Sequence, residues 1–196
     1  MNRPTRCSWA VGKLLIHYHD EEWGVPVRDD VKLFEALMLE AFQTGLKWEV
    51  VLAKRENFRR AFDGFDPHKI AQYGEEKIAV LMQDKGLIRN RRKMEAAVRN
   101  ARCYLIILWE YGSFAAYLDS FTEAKAAPCD PDEVVITSPL SDAISRDLKK
   151  RGMQFVGSVV VQSFLQAVGV VNGHEPGCFL QADAAAEDDR IVYLPF

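Results

Sequence analysis

A single carboxylate interrupts the apolar run Ala36-Leu37-Met38-Leu39-Glu40-Ala41-Phe42, and that run sets what the chain can fold into. Val31, Phe34, Leu37, Met38 and Ala41 recur at helical spacing after Asp30, a residue suited to cap the helix. Gly45 marks its end, and Trp48 follows closely. A helix that is apolar around most of its circumference is buried, so other elements must enclose it. Glu40 lies at the edge of the apolar arc, on one side with Leu33, Leu37 and Thr44. A buried carboxylate is costly unless something pairs with it. Periodicity leaves two readings open: a side chain that snorkels to solvent or pairs with a core arginine, and an acid at the rim of a pocket.

The rest of the chain is also punctuated as helices. Turn signals at Asp63-Gly64, Asp66-Pro67, Lys85-Gly86, Tyr111-Gly112 and Arg151-Gly152 separate helices predicted at 30–44, 47–62, 67–72, 75–84, 90–110, 113–119, 140–151 and 157–169. Strand-like alternation is scarce and no repeat is evident, so the pattern predicts an all-α fold. Residues 1–180 read as one helical unit, with a linker at about 122–139 marked by Pro128, Pro131 and Pro139. Residues 181–196 read as an acidic, then apolar, tail; partial disorder is expected unless Ile191–Phe196 docks on the body. A length of 196 residues is enough to bury a sizeable core. No apolar run is long enough to span a bilayer and the N-terminus has no signal-peptide pattern, so a cytoplasmic location is expected. In that setting the four cysteines point to thiols or metal ligands rather than disulfides. The net charge of −3 gives no global basic field, so local clusters must carry any contact with nucleic acid.

Three groups of residues carry chemistry. Cys7, His17 and His19 lie near one end, and His174 and Cys178 form an i, i+4 pair near the other. Cys7, His19, His174 and Cys178 would make a closed Cys2His2 zinc site joining the ends; His17 with His19 is a competing open pair. Cys103 and Cys129 read as unliganded thiols. Second, Lys149-Lys150-Arg151-Gly152-Met153-Gln154-Phe155-Val156-Gly157 joins two helices. Gly157 can open the second helix with exposed N–H groups that suit a phosphate, though an ordinary helical turn has the same pattern. A basic stretch at Arg89, Arg91, Arg92, Lys93, Arg99 and Arg102 reads either as a nucleic-acid contact or as a solvated helix face. Third, Trp9, Tyr18, Trp23 and Trp48 all fall in the first quarter of the chain with Glu40. Such aromatics are often simply core, but a cage of rings beside a carboxylate suits a flat cationic ligand.

Taken together, these segments resemble a known family. Arg6-Cys7-Ser8-Trp9, Tyr18-His19-Asp20-Glu21-Glu22-Trp23-Gly24-Val25-Pro26 and Leu39 to Trp48 are similar to signatures of the bacterial 3-methyladenine DNA glycosylase I family. So are Lys54 to Arg59, Gly86 to Arg91, Lys149 to Gly157, Ser163 to Ala167, Asn172-Gly173-His174 and Gly177-Cys178. The likeness spans about residues 6–180. It implies an all-helical member of the helix-hairpin-helix glycosylase group, in base excision repair. Under that resemblance Glu40 reads the methylated adenine, with Trp48 and Tyr18 against the base and Trp9 and Trp23 around the pocket. The hairpin holds the DNA backbone through Lys149, Lys150, Gly152, Val156 and Gly157. A structural zinc ion sits on Cys7, His19, His174 and Cys178. Implied partners are alkylated double-stranded DNA and free 3-methyladenine as product, with no membrane and a monomeric enzyme.

The chain also departs from the family pattern. Lys47 stands where relatives often carry Ser, Gln162 where many have Tyr, and Gly173 where some have Asp. Related hairpin glycosylases outside the family carry a catalytic Asp after the hairpin, whereas Gly169 to Cys178 contains only Glu175 as an acid. Alkylation at N3 makes the base cationic, so its departure neutralises it and catalysis can rest on flipping and binding. A monofunctional enzyme is expected, since no amine nucleophile stands in the pocket motifs, with Lys47 as the one caution. The alternatives are a catalytically weak sensor of alkylated bases on the same fold and a zinc hydrolase built on His17 and His19.

Overall fold

The computed structural model describes residues 4–122 and 135–181. Within them the chain forms α1 (Gly12–Glu21), α2 (Asp30–Gln43), α3 (Trp48–Ala61), α4 (Pro67–Ile70), α5 (Glu75–Gln83), α6 (Arg91–Tyr111), α7 (Phe114–Thr122), α8 (Pro139–Lys150) and α9 (Ser158–Ala167). A single 3-10 turn (Asp63–Phe65) lies between α3 and α4, and the described residues contain no strand. Most of the predicted linker and nearly all of the acidic tail lie outside the described residues, as does Cys129.

α2 is the central element. Leu33, Phe34, Leu37, Met38, Leu39, Glu40, Ala41 and Phe42 are all buried, and α3, α6, α7 and α9 pack around it. The aromatic packing is continuous on one side, where Phe42, Phe58, Phe62 and Phe65 lie with neighbouring ring centroids 4.7 to 6.5 Å apart. Asp29, not Asp30, caps α2, its carboxylate accepting from the Lys32 N–H. Asp30 instead ties α2 to its neighbours. Its side chain accepts from Phe114 N at the start of α7, and its carbonyl accepts from the Tyr104 hydroxyl.

α1 departs from the sequence expectation, which placed no helix before residue 30. Its N-cap is Val11, which has no side-chain acceptor, and only Tyr18 and His19 on it are buried. Propensity and capping therefore give it little, and docking of those two side chains holds it. Two later helices carry clear local signals. Asn90 caps α6, and Ser138 with Ser141 forms a reciprocal capping box on α8 behind Pro139.

The segment after α1 runs back along the end of α9, where Gly24 N bonds Ala167 O and Val27 N bonds Val168 O. Gly169 permits this approach. Its φ is +72°, and a Cβ there would lie 2.6 Å from Pro26 N. The first and last described segments meet as well: Phe179 N donates to Thr5 O, while Ser8 N and Oγ donate to the Glu175 carboxylate.

Candidate active site and metal centre

A cavity of about 600 Å³ opens between α1, α2 and α3 and the end of α9. Helical spacing builds its walls. Tyr18, Glu21 and Glu22 come from one face at the end of α1. Lys32, Glu35, Ala36, Leu39 and Glu40 form a stripe along α2, and Trp48, Arg55 and Arg59 a stripe along α3. Val25, Val27, Ala167 and Val168 close the apolar side.

Glu40 is the deepest acid in this wall. It is 5% exposed, its Oε2 is buried without a hydrogen-bond partner, and it makes no ion pair among the described residues. It neither snorkels out to bulk solvent, being 5% exposed, nor pairs with an arginine among the described residues. Burial alone pushes its carboxyl up to about 8. Tyr18 and Trp48 stand beside it with ring centroids 5.4 Å apart, tilted by 49°. Burial and then the nearby Glu40 carboxylate push the Tyr18 hydroxyl well above its ordinary range. The Trp48 indole N–H is also buried without a partner, so one wall of the cavity contains both an orphan acceptor and an orphan donor.

Two charge pairs in the cavity wall are satisfied. Arg55 forks onto Glu22 at 2.5 and 2.8 Å, and Arg59 binds Glu35 at 2.8 Å. Sequence reasoning missed these pairs, whose partners lie 33 and 24 residues apart. Lys47 is exposed and outside the cavity wall. Glu175, the only acid between Gly169 and Cys178, is occupied by Ser8 and stands away from the cavity.

Neither Trp9 nor Trp23 lies in the cavity wall: Trp9 packs against Tyr18, and Trp23 against Trp9. Trp9 meets His19 and Trp23 edge-on at 5.3 and 5.0 Å, and Trp23 meets His174 at 4.7 Å. These histidines belong to a cluster with Cys7 and Cys178, whose four ligand atoms all lie within 4.8 Å of one another. Cys7 Sγ is 3.5 Å from His174 Nδ1, and Cys178 Sγ is 3.4 Å from His19 Nε2 and 3.6 Å from His174 Nδ1. This donor set could hold a metal ion. His17 is exposed and outside it, so the open His17–His19 pair does not form.

The surroundings of the cluster suit metal ligation. His19 Nδ1 lies 2.9 Å from Asp20, which Arg6 grips through three contacts of 2.7 to 2.9 Å. The Arg6 guanidinium and His19 hold the Asp20 carboxyl down at about 2, so the acid stays ionised and fixes the imidazole with Nε2 toward the cluster. Glu175 N donates to Cys7 Sγ at 3.2 Å. Burial and then the His19 ring lower His174 to about 4, which keeps it neutral with a lone pair available.

Between α8 and α9 the chain turns tightly. Gly152 has φ +101° and Phe155 φ +55°, and Gly157 opens α9 without a side-chain cap. Lys149 and Lys150 are exposed and unpaired among the described residues, and Val156 is buried. Arg151 is committed to Asp147 and Glu110, each at 2.6 Å.

Comparisons with known proteins agree with this architecture. The methyladenine glycosylase family model matches residues 9–181. DNA-3-methyladenine glycosylase 1 of Escherichia coli (strain K12) is 45% identical over 177 residues, covering 88% of this chain and 95% of that protein. A crystal structure of 3-methyladenine DNA glycosylase I superposes with a TM-score of 0.83 at 44% identity, covering 90% of this chain and 99% of the other. A point variant of 3-methyladenine DNA glycosylase I in complex with 3-methyladenine superposes with a TM-score of 0.82 at 34% identity, covering 88% and 95%. On fold, site geometry and sequence together, this chain belongs to the methyladenine glycosylase family.

Proposed function

We propose that the protein is a monofunctional DNA glycosylase that releases 3-methyladenine from alkylated double-stranded DNA in base excision repair. One observation carries this reading: Glu40, an unpaired carboxyl, is buried in a cavity beside Tyr18 and Trp48. A buried carboxyl without a counterion fits a ligand whose own positive charge favours its ionisation. A flat cation that donates N–H groups meets both requirements, with ring faces for its π surface and Glu40 for its donors.

In this mechanism the base is extruded from the duplex into the cavity. Tyr18 and Trp48 hold it, and Glu40 accepts from its N–H edge. The apolar wall from Val25, Val27, Ala167 and Val168 excludes bulk water around the acid. Cleavage of the glycosidic bond leaves the bonding pair on the base, which departs neutral while its positive charge passes to the sugar carbon; the alkylated base is therefore already a good leaving group, and Glu40 serves to select it without a strong general acid. Water completes the reaction at the sugar carbon. Trp9 supports Tyr18 directly, and Trp23 backs Trp9. The relatives' names and the complex containing 3-methyladenine support this assignment.

The turn at 151–157 serves as the hairpin of a helix-hairpin-helix unit. Gly157 leaves the first N–H groups of α9 without a side-chain cap, and Lys149 and Lys150 supply charge for a phosphate.

Zinc is the metal we assign to the four-residue cluster. Tetrahedral zinc with Zn–S near 2.3 Å and Zn–N near 2.0–2.1 Å requires sulfur–nitrogen separations of about 3.6 Å. The three observed separations are 3.5, 3.4 and 3.6 Å. Cys7, His19, His174 and Cys178 would hold the ion, which would supply structural cross-linking of the two chain ends and no step of the reaction. No helix among the described residues is long and apolar enough to cross a membrane, and the reading places the enzyme in the cytoplasm.

Base release from methylated DNA, with the released bases identified chromatographically, tests the proposal directly. Release of 3-methyladenine by the wild type and its loss in Glu40→Gln are expected. Binding of alkylated DNA without release would favour the sensor reading instead.

A further inference from the structure

The polar face of α6 reaches both halves of the proposed machinery. Lys93 and Asn100 are seven residues apart on that helix, hence two turns apart on one side, and both are buried. Lys93 Nζ donates to Phe42 O at 2.8 Å and Thr44 O at 2.7 Å, gripping the end of α2 just beyond Glu40. The same ammonium lies 5.9 Å from the centre of the Phe155 ring. Asn100 binds Gln154 in both senses: its amide donates to Gln154 O at 2.9 Å, and its oxygen accepts from Gln154 N at 2.8 Å. Its amide also contacts Met38 Sδ at 3.8 Å, two residues before Glu40. Phe155, between these contacts, holds a left-handed φ that a non-glycine residue keeps only when its surroundings impose it.

We infer that Lys93 and Asn100 are positioning residues, which fix the register between the α8–α9 turn and the Glu40 helix. The inference rests on the reading of that turn as the DNA anchor. Phosphates held at the turn and a base held at Glu40 belong to one nucleic-acid strand, so their separation must match the strand's geometry. A displacement of about 1 Å between two such sites can cost on the order of a hundredfold in rate while leaving each site intact. Lys93 and Asn100 are suited to set that separation. Each contacts both α2 and the turn, neither lies in the cavity wall, and Lys93 directs its donors to backbone carbonyls and not to solvent.

Lys93→Met keeps an unbranched apolar stem, one atom shorter, and removes the donors. Asn100→Leu removes the paired bonds to Gln154. Three probes separate the roles: free 3-methyladenine followed by tryptophan fluorescence, undamaged duplex, and duplex containing 3-methyladenine under single-turnover conditions. For either variant the single-turnover rate should fall at least tenfold, while the Kd values for free base and for undamaged duplex each stay within threefold. An unchanged rate overturns the inference. So does a rate loss matched by an equal loss of free-base affinity, which locates the damage in the pocket itself. If one variant fails to fold, the other is scored by the same rule. If neither folds, the pair are folding determinants and the positioning role is lost. Gly157→Asp, assayed on the same undamaged duplex, tests the anchor separately: unchanged affinity there removes the anchor reading whatever the α6 variants do.

Discussion

Glu40→Gln should change stability in a way that depends on pH, and the size of the change follows from burial. In the folded protein the carboxyl is held at about 8 against an ordinary 4.5. A carboxyl whose folded value is raised contributes stability fully below the unfolded value and loses it as pH rises toward the folded one. Between about 4.5 and 8 the folded state holds a proton that the unfolded chain has released, so stability falls with rising pH in that window. At 1.36 kcal/mol per unit, the loss is roughly 1 kcal/mol at pH 5, 3 at pH 7 and 5 at pH 8.5. Glutamine cannot ionise and removes this slope.

The substitution also leaves a buried amide, which costs about 1–3 kcal/mol at every pH if it finds no partner. The informative quantity is therefore the difference between wild type and variant as a function of pH, not its absolute sign. Urea unfolding at pH 5, 7 and 8.5 should show the variant gaining about 2–3 kcal/mol on the wild type between the first two and about 4 over the whole range. All other titrating groups are common to both proteins and cancel. A stability difference that stays flat across this range refutes the claim that Glu40 is desolvated and unpaired. In the same variant, release of 3-methyladenine should fall by a factor of about 100 or more, as loss of a charged acceptor in a dry site predicts.

The metal centre gives a second test. Elemental analysis should find about one zinc per chain, and Cys178→Ser should lower both metal content and Tm, because metal binding and folding are coupled in a site that closes the chain ends; a metal-free protein of equal Tm removes the assignment. For the turn, Gly157→Asp places a negative charge at the open end of α9, and affinity for undamaged duplex at low salt should drop about tenfold. Lys47→Ser should leave base release within twofold of wild type, since Lys47 is exposed and outside the cavity wall; a large effect would show that the lysine reaches the reacting base. Gly169→Ala should cost about 2 kcal/mol or more by urea unfolding, because a Cβ there collides with the 24–26 backbone at a left-handed φ.

The central helix, its odd acid and the Cys–His cluster that could hold a metal were legible from sequence because each is a local exception: one charge in an apolar run, or histidines and cysteines collected toward the two ends. The four-residue cluster separated from the His17–His19 alternative only in three dimensions, where His19 faces Cys178 and His17 faces solvent. Other parts left no local mark. α1 has neither a cap nor a broad buried face, so nothing in its own ten residues distinguishes it from a loop. Glu22–Arg55 and Glu35–Arg59 look like ordinary surface charges until α1, α2 and α3 pack. Lys93 illustrates the same limit within a basic stretch: Arg91 pairs with Glu75 on the surface, while Lys93 two residues later is buried under α2. Charge composition cannot tell them apart. Asp20, beside a histidine ligand and gripped by Arg6, could have been found from its position next to His19, because such ligands usually donate their second nitrogen to a carboxylate.

The setting of Glu40 also bears on how an enzyme of this kind separates a lesion from normal adenine. With a carboxyl at about 8, roughly a tenth of the free protein is ionised at pH 7, so full ionisation costs only about 1.4 kcal/mol. A cationic base offsets that cost through charge-assisted hydrogen bonds of about 1.5–3 kcal/mol, in a medium where the attraction is little screened. Neutral adenine offsets none of it and meets a protonated acid. The acid is thus poised near the point where the charge of the ligand decides its state. The same poise predicts a kcat/KM that rises with pH toward a plateau above about 8 in the wild type, with no such rise through Glu40 in the Gln variant. A wild-type profile flat from about pH 6 to 9 would break the link between burial of Glu40 and recognition of the cation.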